Sequence, residues 1–60
     1  MFKKVTLQVQ DITGNWFTSR TLDIKNDQYT YSQMKQVQKM YNGKRVKAVD
    51  EKGNLIDLMG

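Results

Sequence analysis

The sequence predicts an α+β domain of ββαββ order: an antiparallel sheet with one helix packed on one face. Three observations carry that reading. Val5, Leu7 and Val9 alternate with polar residues at the period of a strand. Met34, Val37, Met40 and Tyr41 fall on one helical stripe that Asn42-Gly43 stops. The segment from Lys44 to Leu58 holds a complete hairpin pattern.

Each element follows from local chemistry. The first strand places Thr6, Gln8 and Gln10 opposite its apolar face. Asp11-Ile12-Thr13-Gly14-Asn15 supplies a turn, with Gly14 or Asn15 able to take positive φ. Trp16 to Ile24 is aromatic and β-branched, so it forms a second strand and most simply an antiparallel hairpin with the first. Its even positions Trp16, Leu22 and Ile24 make the better core face, interrupted by Thr18 and Arg20. After a polar connector, Lys25 to Gln28, Thr30 is the expected N-cap. Gln33 sits at capping-box spacing from it, and Tyr29 with Met34 forms a hydrophobic staple. The helix is expected to run to about Tyr41, with no acid inside it. In the closing hairpin Val46 and Ala48 alternate with Arg45, Lys47 and Val49. Glu51-Lys52-Gly53-Asn54 turns the chain, and Ile56 and Leu58 return on the last strand. With no repeat and no linker, residues 1–60 read as one domain.

One helix covers one face of such a sheet. The expected core is Val5, Leu7, Val9, Trp16, Leu22, Ile24, Met34, Val37, Met40, Val46, Ala48, Ile56 and Leu58. The other face then carries Lys4, Thr6, Gln8, Phe17, Ser19, Thr21, Arg45, Lys47, Val49, Leu55 and Asp57. This mixed surface reads either as an ordinary solvated sheet face or as a dimer or partner surface. Trp16 and Phe17 are neighbours in a strand and point to opposite faces, so both cannot enter one core. Phe17 either folds over the sheet edge or anchors an interface beside cations.

Composition narrows the function. A sixty-residue chain buries only about 60% of its unfolded surface. It has neither Cys nor His, so disulfides, zinc fingers, thiol nucleophiles and imidazole bases are excluded. Small scaffolds without such staples turn to a partner chain, so a homodimer is expected. Catalysis would fall to Asp, Glu, Lys, Tyr or Ser. Yet Asp50-Glu51 sits at a turn, the other aspartates lack ligand spacing, and the glycines occur singly. The expectation is no enzyme, no cofactor and no metal. Ten Lys and Arg against six Asp and Glu give a net charge of +4, which permits an acidic partner without demanding one. No apolar run approaches the roughly 18 residues of a membrane span, and the opening alternation is a strand rather than a signal peptide. A cytoplasmic location is expected.

The candidate contact residues are Phe17, Lys35, Lys39, Arg45 and Lys47. Lys35 and Lys39 are a like-charged pair at i and i+4, a small cost that an anionic partner would relieve. The same lysines also fit a solvated helix face whose last turn complements the macrodipole. A sheet with aromatics and flanking cations can stack bases and hold phosphates, although no RNP-type aromatic pair, GXXG loop or helix-turn-helix spacing is present.

The stretch Gly43-Lys44-Arg45-Val46-Lys47-Ala48-Val49-Asp50, with Gly53-Asn54-Leu55-Ile56-Asp57, resembles the closing hairpin of short proteins encoded by bacteriophages and prophages. So does the opening strand that leads into Gly14-Asn15-Trp16. The resemblance implies an accessory protein in the host cytoplasm that binds and blocks a host protein. The expected function is therefore a non-enzymatic binding protein, homodimeric, that inhibits or modulates a protein partner. The alternative is a small basic nucleic-acid-binding protein.

Overall fold

Two hairpins joined by a helix make up the chain, in a computed structural model that describes residues 2–60. The elements are β1 (Lys3–Gln10), β2 (Trp16–Ile24), α1 (Asp27–Met40), β3 (Val46–Val49) and β4 (Leu55–Met59). This is the ββαββ order that the sequence predicts. The strands form one antiparallel sheet in the order β2-β1-β3-β4. Since β2 and β3 are each antiparallel to β1, they are parallel to one another. A parallel connection needs a crossover of a dozen or more residues, and the 14 residues of α1 provide it.

The core lies between α1 and the two central strands. Val5, Leu7 and Val9 of β1 and Val46 and Ala48 of β3 are fully buried, together with Ile24, Met34 and Val37. Leu22, Tyr41, Ile56 and Met59 pack around this cluster. The Cα extents of 36 × 21 × 15 Å leave room for one sheet and one helix and nothing beyond.

Two bulges change the predicted core. In the first hairpin Leu7 pairs with Arg20 and Gln8 pairs with Thr18, so Ser19 has no partner. An extra residue reverses the alternation of everything beyond it. Phe17 therefore pairs with buried Val9 on the helix side, and Trp16 pairs with Gln10 on the open side. Trp16, expected in the core, is only half-buried. In the second hairpin Ala48 pairs with Asp57 and Val49 with Leu55, leaving Ile56 unpaired. Met59 then takes the helix-side place opposite Val46, and Leu58, expected in the core, lies opposite Lys47 and is 44% exposed. Met40, also expected in the core, is exposed on the flank of α1, where its Sδ accepts a hydrogen bond from Arg20 at 3.4 Å. Both bulges sit in edge strands, where they blunt the template an edge offers to other chains.

The hairpin turns share one design. Asp11-Ile12-Thr13-Gly14-Asn15 and Asp50-Glu51-Lys52-Gly53-Asn54 are both Asp-x-x-Gly-Asn. In each, the glycine N–H donates to the aspartate carbonyl, at 3.0 and 3.1 Å, with φ at 92° and 83°, the region glycine enters without steric cost. Each aspartate Oδ1 also accepts two backbone N–H bonds, all at 2.9 Å: from Thr13 and Asn15 in the first turn, from Lys52 and Asn54 in the second.

The helix starts earlier than expected. Asn26, not Thr30, is the N-cap: its Oδ1 accepts from the Tyr29 N–H at 3.1 Å. The acidic residue Asp27 is thus inside the helix. Thr30 lies in the second turn, buried, and its Oγ1 has no hydrogen-bond partner. At the other end the Gly43 N–H donates to the Gln38 carbonyl at 2.8 Å and the Asn42 N–H to Lys39 at 3.4 Å, the pair of bonds of a Schellman stop.

Two expectations follow. Asn26→Ala lowers stability by about 1 kcal/mol, whereas Thr30→Val, which removes an unpaired buried hydroxyl, leaves it unchanged or raises it; urea denaturation of both variants checks this. The Thr13 hydroxyl and the N–H groups of Asn15 and Thr13 hold the Asp11 carboxyl below the usual carboxylate range. The Asn54 N–H leads the same effect at Asp50. A lowered folded-state pKa contributes stability above the unfolded-state value of about 4, and that contribution is lost as pH falls through the folded-state value. Wild type should therefore exceed an Asp11→Asn/Asp50→Asn variant in melting temperature at neutral pH, and the two should converge in acid.

Candidate functional site

The uncovered face of the sheet is built by the register. Residues paired with the buried rows face α1, and the alternate residues face away. On β1 these are Lys4, Thr6, Gln8 and Gln10, and on β2 they are Trp16, Thr18, Thr21 and Asp23. Lys47 and Val49 of β3, and Leu55 and Leu58 of β4, complete the set. Arg45 continues it one residue before β3, where its carbonyl accepts from the Gln10 N–H at 3.0 Å.

A cation on an aromatic ring spans half of this face, from central strand β3 to edge strand β2. The Lys47 Nζ lies 4.5 Å from the centroid of the Trp16 ring, reaching across β1 from β3 to β2. Such a contact contributes about 0.5–1 kcal/mol at an exposed site. Lys4, Arg45 and Lys47 supply positive charge, and Asp23, paired opposite Lys4, is the one acid among the described strand positions of this face. Val49, Leu55 and Leu58 make an apolar strip at the β4 side, with Leu55 60% exposed.

The five candidate contact residues do not form one surface. Arg45 and Lys47 belong to the open face. Phe17 belongs to the helix side, where its ring meets Tyr41 edge-on at 5.5 Å and 71°. Lys35 and Lys39 sit on the outer surface of α1, lining a hollow of about 510 Å³ with Gln36, Gln38, Asn42 and Gly43. The Lys35 ammonium lies 5.5 Å from the Tyr31 ring, and Lys39 stands in the last turn, where it complements the helix dipole.

The residue that sequence reasoning missed is Trp16. Its signal was present in the repeated turn. In both hairpins the residue before the aspartate pairs with the residue after the asparagine: Gln10 with Trp16, and Val49 with Leu55. Gln10 is out of phase with buried Val9, so Trp16 must share the open face. Among the described residues, no three His, Cys, Asp or Glu side chains come together as a metal-ligand set, and no helix is long and apolar enough to cross a membrane. No protein-family model, curated protein or solved structure matches the chain.

The two aromatic neighbours should separate cleanly in mutagenesis. Phe17→Ala should cost about 1 kcal/mol or more of stability through the lost edge-on contact and buried area, with Trp16 emission unaltered. Lys47→Met should change Trp16 emission with little loss of stability. Denaturation curves and tryptophan fluorescence of the two variants test the assignment of faces.

Proposed function

We propose that this protein is a non-enzymatic binding protein that holds a macromolecular partner on the open face of its sheet. The observation that carries this reading is Lys47 on Trp16, a cation from central strand β3 meeting an aromatic ring on edge strand β2, on a face that no described element covers. Lysines on a sheet are often edge guards. That account does not reach Lys47, because β3 is a central strand.

Two partner classes are supported by different residues. A protein partner, inhibited or modulated by the contact, is favoured by Val49, Leu55 and Leu58, an apolar strip beside Arg45 and Lys47. Interface anchors of this type are aromatic or arginine with an apolar surround. The resemblance to phage-encoded accessory proteins supports a host protein in that role. A nucleic acid is favoured by the cation-flanked Trp16 ring. A homodimer through this face would bring Lys47 and Arg45 of two copies toward each other, so charge favours an anionic partner over a second copy.

The test compares two surfaces. Immobilised wild-type protein is exposed to lysate of the producing cell, and the captured protein and nucleic acid are both analysed. Trp16→Ser/Lys47→Glu should abolish capture, and Lys35→Glu/Lys39→Glu should leave it intact. Capture lost in the helix variant and kept in the sheet variant would move the working surface to α1 and overturn the proposal.

A further inference from the structure

Resting on the binding role of the open face, we infer that its occupant is single-stranded nucleic acid. The pattern of polar, charged and aromatic groups across the strands carries the inference. Reading from β2 to β4, one row runs Thr18, Gln8, Lys47, Leu58, and the next runs Thr21, Thr6, Val49, Leu55. The middle of the face is therefore Thr6, Gln8 and Lys47, with Val49 as its one apolar member. Protein interfaces are depleted of charge at their cores, and here Lys47 stands beside Val49 on a central strand, while Leu55 and Leu58 lie on the edge strand β4.

The same pattern suits a single strand. Hydroxyls and side-chain amides donate and accept, which matches the exposed edges of unpaired bases. Trp16 offers an indole ring, and stacking on such a ring tolerates every base. The Lys47 ammonium, 4.5 Å from the ring centroid, leaves the ring face when a base stacks there, and its flexible stem then lets it reach a flanking phosphate. Arg45, just before β3, and Lys4, with Asp23 paired opposite it, extend the positive charge toward the two ends of the face. A duplex keeps its bases stacked away from any such ring, so the indole selects for unpaired nucleotides. Three gaps of roughly 4.8 Å between strands make the platform about 14 Å wide, enough for a few nucleotides.

The charges on the face set the salt dependence. Lys35 and Lys39 lie on α1, on the other side of the sheet, and contribute no contact. Three cations neutralising three phosphates give a slope of log K against log salt of roughly −2, at about −0.7 per phosphate on a single strand.

The experiment is fluorescence anisotropy of a labelled oligothymidine of about twelve nucleotides, within the roughly 4–16 of known single-strand sites, titrated with the full chain at several salt concentrations. Trp16 is the chain's one tryptophan, so quenching of its emission by unlabelled oligothymidine reports stacking at the site. Expected results are a slope near −2, a slope reduced by about 0.7 in Lys47→Gln, and affinity weakened about 10-fold or more in Trp16→Ala but little in Trp16→Phe. Lys47→Gln keeps the test sharp if Trp16→Ala does not fold. Equal or tighter binding to the matching duplex, binding that depends on Lys35 and Lys39, or no binding at low salt would each overturn the inference. In the last case, capture that still depends on Trp16 and Lys47 would leave the open face as a protein-binding surface. Loss of that dependence would remove both readings.

Discussion

The pairing of β1 with β3 is the constraint on which everything else rests. These strands come from different hairpins, and their facing rows hold five of the eight fully buried apolar side chains: Val5, Leu7, Val9, Val46 and Ala48. Without that seam the chain is two hairpins, and an isolated two-stranded hairpin is at best marginally stable. With it, Met34 and Val37 of α1 have a continuous apolar surface to cover. In a chain this small no second core exists to compensate. The seam also fixes Lys47 on a central strand of the open face.

Irregularity at the edges does as much as regularity at the centre. Ser19 and Ile56 each add one unpaired residue to an outer strand. At Ser19 the reversal of phase exchanges the fates of two adjacent aromatics. Phe17 closes the rim of the core against Tyr41, and Trp16 is delivered to the open face beside Lys47. Arg20, on the helix side of the same bulge, donates to the Gln33 Oε1 at 2.8 Å and so ties β2 to α1. One inserted residue thus separates the side chain that packs beside the helix from the side chain left on the open face.

The ββαββ sequence of elements, helix identity and most of the core are legible in the sequence, though the β2-β1-β3-β4 order within the sheet is not, because Val5, Leu7, Val9, Val46 and Ala48 follow an unbroken period, and Met34 and Val37 follow another. The errors cluster where the period breaks. At Trp16 and Leu58 the period of two runs through positions at which the backbone counts three, and propensity alone does not mark a bulge. Thr30 suits the N-cap role because Ser, Thr, Asn and Asp all do. Asn26, four residues earlier, is equally suited, and helix ends are the least regular part of a helix. The cations Arg45 and Lys47 were legible as a pair. Their aromatic partner was not, although the repeated Asp-x-x-Gly-Asn turn contained the means to find it.

The crossover by α1 also shapes how the chain must fold. Each hairpin is closed by a short turn with its own hydrogen-bonded aspartate, so both form from local contacts, on a scale of about 1–10 μs for isolated hairpins. The β1–β3 seam joins segments separated by β2 and α1, and a loop of that length must lose its entropy before the seam rewards it. The late, cooperative event is therefore closure of the seam beneath the helix, which holds together two hairpins that are only marginally stable by themselves. The turns govern how quickly each half is ready, and the valines of the seam govern whether the halves stay together.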